Sequence, residues 1–341
     1  MKNVNKADAV TITTLVENYI DILLADHDDV CRCGLIHHFD TKRTPVQAEF
    51  GISFLVEVLK GRETYRVLFD AGMTPAVIQH NLRALGIDAA QIDHIVISHG
   101  HPDHYGGLEG ALTAIGHRVP VATHPEAFEP RYAVMPDGRV APFYNYSFDR
   151  ARLEPLGARF VLSRTAADIG PGIIISGEIQ RETDFEGPRP PAGFAGLYQV
   201  IDSKYGYDRV MDEIALIINV RDQGLIVLTG CGHAGVINSI RHAQRLTGEE
   251  RIGAVMGGFH LGFPGTPPEF LTKTVAALKE IEPQLVCPMH CSGLQTLATV
   301  MTEMPDAFFQ YAVGTRLTIT SSAAVAGDAK VRATAVARQV P

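Results

Sequence analysis

The sequence predicts an α/β protein built from two mixed β-sheets with helices on their outer faces. Strand patterns come first and are followed by alternating strand and helix patterns, and this order occurs in two successive halves of the chain. Histidines follow apolar strand patterns in both halves, so we expect them at a common edge of both sheets. The 341 residues, 46% of them hydrophobic, are enough to bury a core of this size.

The first half contains the patterns of seven strands and two helices. The second and third strands form a hairpin around Gly61, and in the first helix Thr74 is a candidate N-cap, with Gly86 at the end. The predicted strands are residues 10–19, 50–60, 65–70, 92–97, 119–123, 160–163 and 173–176, and the predicted helices are 74–85 and 108–115.

The second half repeats the alternation with longer helices. A hairpin around residues 222–224 opens it, and one or two strands close it. The predicted strands are residues 213–220, 225–228, 252–256, 285–287 and 308–320, and the predicted helices are 236–247, 268–281 and 294–302.

We expect one domain over residues 1–320, followed by an Ala-rich, disordered tail over 321–341. Insertions are expected near residues 26–44, 125–159 and 184–212. The last of these is rich in Gly, Pro and Tyr and is expected to be a lid or a substrate loop.

Charge and cysteine content exclude several classes of protein. The formal net charge is −8 and no long basic run occurs, so we expect no nucleic-acid partner. No apolar run is long enough to span a bilayer and no secretory signal pattern is present, so we expect no membrane association. Five cysteines in a long chain favour a reducing, cytoplasmic location over a disulfide scaffold. The oligomeric state stays open.

A dense cluster of metal-binding residue types follows a buried strand pattern in the first half. Residues 98–108 read Ser-His-Gly-His-Pro-Asp-His-Tyr-Gly-Gly-Leu. Alternate residues of an extended segment point the same way, so His99 and His101 can bind one ion together. Asp103 and His104 lie where the chain turns and can reach a second ion. The sequence therefore predicts a metal site at a sheet edge.

This cluster resembles the His-x-His-x-Asp-His signature of the metallo-β-lactamase superfamily. The resemblance extends from residue 10 to about residue 320, and Asp70-Ala-Gly matches the short acidic motif that precedes the signature. It implies an αββα sandwich with two divalent metal ions at one edge. We expect zinc, with iron or manganese as alternatives, because imidazole and carboxylate ligands suit all three.

The resemblance also implies metal ligands at later strand ends. Cys231, in Thr-Gly-Cys-Gly-His, stands where relatives have a bridging aspartate, and His233 lies two residues further on. Either Cys231 binds as a thiolate or His233 supplies the ligand. We favour His233, because a free cysteine is often only a small buried apolar residue. His290 matches the terminal histidine of the family.

Three residues are candidates for contact with the substrate. His260 ends a strand pattern and either pairs with backbone, contacts a metal, or serves the substrate as acid or oxyanion donor. Glu178 lies near the place of the family's middle histidine and is either a ligand or a solvated carboxylate. Arg181 has the planar donor group that suits phosphate. Asp103 is also expected to align the nucleophile.

Several motifs are similar to one branch of the superfamily, the 7,8-dihydropterin-6-yl-methyl-4-(β-D-ribofuranosyl)aminobenzene 5′-phosphate synthase-like proteins. These motifs are residues 48–53, 177–181, 185–186, 230–235, 257–261 and 290–293. This similarity implies a pterin-diphosphate substrate and formation of a carbon–nitrogen bond.

The leading hypothesis is nevertheless a metal-dependent hydrolase. In it, a hydroxide activated by two metals attacks an ester, a lactone or a phosphoester of a small anionic or phosphorylated molecule. One alternative is a transferase of the named branch that releases diphosphate. Another is a metal-dependent ligand-binding or sensor protein.

Overall fold

Two large β-sheets pack face to face, with helices on both outer faces, which confirms the predicted α/β sandwich. The computed structural model describes residues 6–27, 29–35, 39–143, 148–188 and 195–322. Most of the predicted tail, residues 323–341, lies outside the described residues. Among those described, no helix is both long and apolar enough to cross a membrane.

Eighteen strands are present in the described part of the chain. They are β1 (Ala9–Val16), β2 (Val30–Cys31), β3 (Ser53–Lys60), β4 (Glu63–Phe69), β5 (His94–Val96), β6 (Val119–Thr123), β7 (Arg131–Val134), β8 (Val140–Pro142), β9 (Ala158–Leu162), β10 (Ala167–Gly170), β11 (Ile173–Ile175), β12 (Gly196–Ile201), β13 (Lys204–Tyr207), β14 (Leu216–Val220), β15 (Gly224–Thr229), β16 (Ile252–Gly258), β17 (Leu285–Met289) and β18 (Arg316–Thr320).

The helices of the described residues cover the outer faces of the sheets or join strands near the sheet edge. They are α1 (Pro75–Ala84), α2 (Pro102–Tyr105), α3 (Leu108–Ile115), α4 (Arg150–Leu153), α5 (Val236–Thr247), α6 (Pro268–Ile281) and α7 (Gly293–Glu303). The bounds of α3, α5 and α6 are those that the sequence predicts. Thr74 precedes α1, but its hydroxyl donates to the carboxylate of Glu49 instead of capping the helix.

Three layers of core follow from the two-residue period of the strands. Phe54 and Val56 of β3 face the space between the sheets, and Leu55 between them faces α1 and α3. In β14, Leu216 faces the same inter-sheet core, whereas Ile217 packs on the side of α5 and α6. The alternation buries apolar side chains on both faces of each sheet, which fixes the helices to the outside.

Both large sheets combine antiparallel and parallel strands. The first has the order β2-β18-β1-β3-β4-β5-β6-β9, and the second has the order β10-β11-β14-β15-β16-β17. Strands β4, β5, β6 and β9 are parallel, as are β15, β16 and β17. Ligands of open α/β sheets bind beyond the carboxyl ends of such strands, so this topology marks one edge as the site.

A third sheet is built from two segments in which the sequence predicts insertions. Its order is β13-β12-β7-β8, so the predicted insertions 125–159 and 184–212 pair with each other. The strands are only three to six residues long, and β7 and β12 lie about sixty residues apart in the chain. Non-local pairing of short strands leaves no periodicity that spans the two segments, so sequence patterns could not reveal it.

Candidate metal centre

The candidate ligands come from loops that follow parallel strands in both large sheets. In the first sheet, β4 leads into Asp70 and β5 leads into residues 99–104. In the second sheet, β15, β16 and β17 lead into residues 231–233, His260 and His290. Residues far apart in the chain therefore meet at one edge, as the sequence predicts.

One group of donor atoms consists of three buried histidines. Nδ1 of His101 lies 3.1 Å from Nε2 of His99 and 3.2 Å from Nε2 of His233. Nitrogen atoms that share a tetrahedral zinc ion at 2.0–2.1 Å are about 3.3 Å apart, so this spacing suits one ion. Burial lowers the pKa of all three imidazoles, to about 3 for His101. They are therefore neutral, the form that binds a metal.

A second group of donors lies beside the first. Oδ2 of Asp103 lies 3.2 Å from Nε2 of His290 and 3.5 Å from Nε2 of His104. All three side chains are buried. Burial tends to raise the pKa of Asp103, but the neighbouring His104 and His290 lower it well below its usual value. The carboxylate is therefore charged and available to a cation.

Cys231 contributes to both groups. Its Sγ lies 3.1 Å from Nε2 of His104 and 3.4 Å from Nε2 of His290, and it also clusters with His99 and His233. Burial raises the pKa of this thiol, so its thiolate form needs a neighbouring cation. The sequence left open whether Cys231 or His233 is the ligand. The fold brings both side chains to the donor cluster, so both are available to a metal.

These donors fit divalent metal. Nε2 of His101 and Nδ1 of His233 have no hydrogen-bond partner, while the opposite nitrogen of each ring faces the cluster. Imidazole, carboxylate and thiolate together suit zinc and other transition metals. Residues that could hold metal form three groups, namely Asp103, His104, Cys231 and His290; His99, Cys231 and His233; and Cys231, His260 and Cys291. His101 lies beside His99 and His233 of the second group.

Buried side chains outside the cluster orient the candidate ligands. Oδ2 of Asp70 lies 2.7 Å from Nδ1 of His104, and Asp70 also accepts hydrogen bonds from the backbone N–H and the hydroxyl of Ser98.

The carboxylate of Glu17 accepts a hydrogen bond from the backbone N–H of His290. Glu213 accepts the backbone N–H groups of Cys231, Gly232 and Ala234 and so shapes that loop. Such partners fix ring orientation in metal sites.

Three non-glycine residues at this edge have positive φ angles. Asp70, His260 and His290 have φ angles of 57°, 54° and 50°, and each directly follows or lies just beyond a parallel strand. A non-glycine residue in this region costs about 1–3 kcal/mol and persists only where surrounding contacts hold it. The free energy of folding is therefore less favourable at these three positions, and in return their side chains are directed towards the donor cluster.

A buried charge network connects the third sheet to the cluster loop. Arg131 of β7 is paired with Asp208 at 2.9 Å and with Asp212 at 2.7 Å. Asp212 also accepts the backbone N–H of Gly100, between the first two histidines. Arg131 is buried, so its contacts hold the third sheet against the loop that carries His99 and His101.

A cavity of about 400 Å³ opens above the donor atoms. Side chains of the cluster form its floor, and residues of the third sheet and of neighbouring loops form its walls. The floor residues are His101, Asp103, Cys231, His233 and His260; the wall residues are Phe50, Ala133, Met135, Ala141, Pro142, Phe143, Pro188, Leu197, Tyr207, Asp208, Val210 and Phe263. Both predicted catalytic residues, Asp103 and His260, therefore face a substrate-sized space.

Two predicted substrate contacts lie elsewhere. Glu178 pairs with Arg164 at 2.9 Å and lies 3.1 Å from Nε2 of His124, and it does not line the cavity. Arg181 donates to the backbone carbonyl of Val210, a wall residue, but does not itself line the cavity. Contact of Glu178 and Arg181 with a substrate stays a prediction.

Sequence reasoning assigned no role to several residues that shape the site. Asp70 carried a signal, since it ends a predicted strand and belongs to the Asp-Ala-Gly motif that resembles the family's short acidic motif. Arg131 and Asp212 carried none, because their partners are distant in the chain. Sequence patterns did not indicate the wall residues of β7, β8 and β12 either, because these strands also pair with partners that are distant in the chain.

The chain is similar in sequence to known proteins. The family model of the metallo-beta-lactamase superfamily matches residues 48–203. A Methanocaldococcus jannaschii protein named 7,8-dihydropterin-6-methyl-4-(beta-D-ribofuranosyl)-aminobenzene-5'-phosphate synthase is 32% identical over 308 residues, which cover 90% of this chain and 96% of that protein. An uncharacterised protein of the same organism is 31% identical over 73% of this chain and 86% of its own length.

Solved structures agree on the fold. A structure described as a metal-dependent hydrolase of the beta-lactamase superfamily matches with a TM-score of 0.67 and 25% identity, covering 92% of this chain and all of that one. A metallo-beta-lactamase fold protein from Bacillus subtilis matches with a TM-score of 0.52 and 12% identity over the same shares of the two chains.

Proposed function

The chain belongs to the metallo-beta-lactamase superfamily, in the branch of the dihydropterin-ribofuranosylaminobenzene phosphate synthase-like proteins, and on this premise we propose a two-metal enzyme that hydrolyses an ester, a lactone or a phosphoester. The observation that carries this proposal is the convergence of seven candidate donor side chains at one sheet edge, four of which, His101, Asp103, Cys231 and His233, line a cavity of about 400 Å³. The substrate is a small molecule whose reacting group lies against that floor.

We assign one ion to His99, His101 and His233, and a second to Asp103, His104 and His290. Cys231, which clusters with members of both groups, could contribute a thiolate ligand to the bound metal. Zinc is the preferred metal, because thiolate and imidazole are softer ligands than manganese or magnesium favours. When bound, the ions supply Lewis acidity, which acidifies water near neutral pH and stabilises negative charge on a substrate oxygen.

The chain's own residues supply alignment and proton transfer. The Asp103 carboxylate lines the floor of the cavity. It holds the attacking water in line with the reacting atom. His260 faces the same cavity from the opposite sheet, and its ring centroid lies 4.1 Å from that of His233. As a general acid, His260 gives its proton to the leaving oxygen. The apolar walls exclude other water molecules from the reaction.

Transfer chemistry is a second candidate of equal standing. It is favoured by the 32% identity to the named synthase, which extends over nearly the whole of both chains. In that case the same floor would hold the diphosphate of a pterin substrate as a leaving group. The attacking group would then be an aminobenzene ribotide instead of water.

A cytoplasmic location is also part of the proposal. All five cysteines are free of disulfide bonds, including the buried Cys231, Cys287 and Cys291. A reducing compartment keeps the Cys231 thiol available to metal.

Metal analysis and a substrate panel test the proposal together. The purified protein should contain two equivalents of metal, and His104→Ala and His290→Ala should each lower both metal content and turnover, whereas His80→Ala, outside the cluster, should not. Hydrolysis of aryl esters, lactones or phosphodiesters supports the hydrolase. Pyrophosphate release that requires both a pterin diphosphate and an aminobenzene ribotide supports the synthase. A metal-free protein, or a tightly retained ligand without turnover of any substrate, would contradict both.

A further inference from the structure

Two buried cysteines, Cys231 and Cys291, lie side by side at the edge of the second sheet. Cys231 follows β15 and Cys291 follows β17, the strands on either side of β16. Their Sγ atoms and a ring nitrogen of His260 lie within 4.8 Å of one another. The thiol of Cys291 donates a hydrogen bond to the backbone carbonyl of Cys231 at 3.0 Å. The fold therefore brings together two thiols that are 60 residues apart in the chain.

Gly258 of β16 leaves the space in which these thiols meet. A Cβ atom at this position would lie 2.6 Å from Sγ of Cys291 and 2.8 Å from Cα of Cys231. Atoms do not approach this closely in a packed interior, so a side chain at Gly258 would displace one of the two cysteines. Both thiols are free in the structure. A disulfide bond is about 2.05 Å long, so the pair closes by a movement of less than about 3 Å.

The two thiols differ in their access to small molecules. Cys231 lines the cavity of about 400 Å³, whereas Cys291 does not. A small oxidant that enters the cavity therefore meets Cys231 first. Redox-sensing cysteines commonly combine an accessible thiol with a second thiol close enough to react with its oxidised form. Cys287 is also buried, but it belongs to the core between the two large sheets.

We propose that Cys231 and Cys291 form a reversible oxidation site, in which a peroxide converts the two thiols into a disulfide. Hydrogen peroxide transfers one oxygen atom to Sγ of Cys231, which gives a sulfenic acid and water. Sγ of Cys291 then attacks the Cys231 sulfur and the sulfur–sulfur bond forms. The sulfenic hydroxyl leaves as water with the proton of the Cys291 thiol. The two thiols together lose two electrons, and the peroxide gains them.

The disulfide removes one donor from the candidate metal centre. In the reduced protein, Sγ of Cys231 lies 3.1 Å from Nε2 of His104 and 3.4 Å from Nε2 of His290. Once bonded to Cys291, this sulfur cannot become the thiolate that binds metal. Oxidation should therefore lower zinc affinity by at least about tenfold, because even the loss of a residue that only orients a ligand costs that much. This consequence alone rests on the proposed function, since it requires metal at the cluster.

Peptide mapping of the oxidised protein tests the site directly. The zinc-loaded full-length protein is treated with a small excess of hydrogen peroxide, the remaining free thiols are alkylated, and each cysteine is located by fragmentation mass spectrometry. The expected product is a disulfide between Cys231 and Cys291, with release of zinc to a chromogenic chelator. Dithiothreitol should restore both thiols and the zinc affinity.

Three single variants separate the roles of the cysteines. Cys291→Ala should stop the reaction at the sulfenic acid of Cys231, which dimedone captures. Cys231→Ala should leave Cys291 unoxidised under the same conditions. Cys287→Ala is the matched control, because Cys287 is equally buried but lies in the core between the sheets, and this variant should form the disulfide like the unaltered protein. Thermal melting shows whether each variant is folded.

Unreacted thiols, further oxidation of Cys231 without a disulfide, or a disulfide that contains Cys287 would each overturn the inference. A Cys231–Cys291 disulfide that leaves zinc affinity unchanged would overturn its effect on the metal centre. These outcomes are distinct from those of the proposed function. A protein that binds no zinc but forms this disulfide reversibly would reject the two-metal enzyme and keep the oxidation site.

Discussion

Oδ2 of Asp70 lies 2.7 Å from Nδ1 of His104, and both side chains are completely buried. Burial would lower the pKa of His104, but the carboxylates of Asp103 and Asp70 raise it well above its usual value. The contact with Asp70 turns Nε2 of His104 towards Asp103 and Cys231. Asp70 therefore determines which nitrogen of this ring is presented to a metal ion.

Asp70→Asn should weaken metal binding by about 10- to 100-fold, because a neutral amide fixes and polarises the imidazole less well than a carboxylate. Zinc affinity can be measured by competition with a chromogenic chelator. Asp93→Asn, at an exposed position beside β5, is the matched control and should retain full affinity. An unchanged zinc affinity of Asp70→Asn would show that His104 needs no support from this carboxylate.

Cys231→Asp should shift metal preference from zinc towards manganese or iron. A carboxylate is a harder ligand than a thiolate, and Cys231 clusters with both groups of donors, so we expect the ratio of zinc to manganese affinities to fall on the order of tenfold. Elemental analysis after equilibration with mixed metals gives this ratio. Cys31→Asp, at an exposed cysteine, should behave like the unaltered protein. A constant ratio would exclude Cys231 as a ligand.

His260→Gln should slow substrates with poor leaving groups more than substrates with good ones. An alkoxide must be protonated as it leaves, so loss of a general acid is expected to lower kcat for alkyl esters by about 10²-fold. p-Nitrophenolate needs no proton, and kcat for its esters should fall much less. His80→Gln serves as the control. Equal losses for both substrate types would instead support a binding or structural role of His260.

Arg131→Gln should destabilise the protein by about 3–5 kcal/mol, because it leaves Asp208 and Asp212 buried without a cation. Chemical denaturation gives the free energy of unfolding. Arg139→Gln removes an ion pair in which the arginine side chain is 80% exposed, and it should cost less than about 1 kcal/mol. Similar losses for the two variants would show that the buried network does not stabilise the third sheet.

Removal of metal should lower the melting temperature, because metal binds the assembled cluster and not the unfolded chain. Free zinc at one hundred times its dissociation constant should add about 2.7 kcal/mol of stability relative to the metal-free protein. Melting curves across a series of buffered zinc concentrations test this. The response should be much smaller in His290→Ala. A melting temperature that does not depend on zinc would argue against metal binding by the folded chain.

The sequence by itself determined the α/β class, the bounds of helices α3, α5 and α6, and the strand ends that carry the histidines. These features are local. Periodicity decides between strand and helix within about ten residues, and glycine and proline mark the ends. The spacing of His99 to His104 is likewise a local property of one strand end and one turn.

Only the tertiary structure decided how these local parts combine. It brought Cys231 and His233 to the cluster together, gave Asp70 and Arg131 their partners, and joined two insertions into the sheet that forms the cavity wall. Each of these contacts links residues that are distant in the chain. Such pairings depend on the packing of whole sheets, because the free energy of closing a long loop is recovered only when many contacts form together.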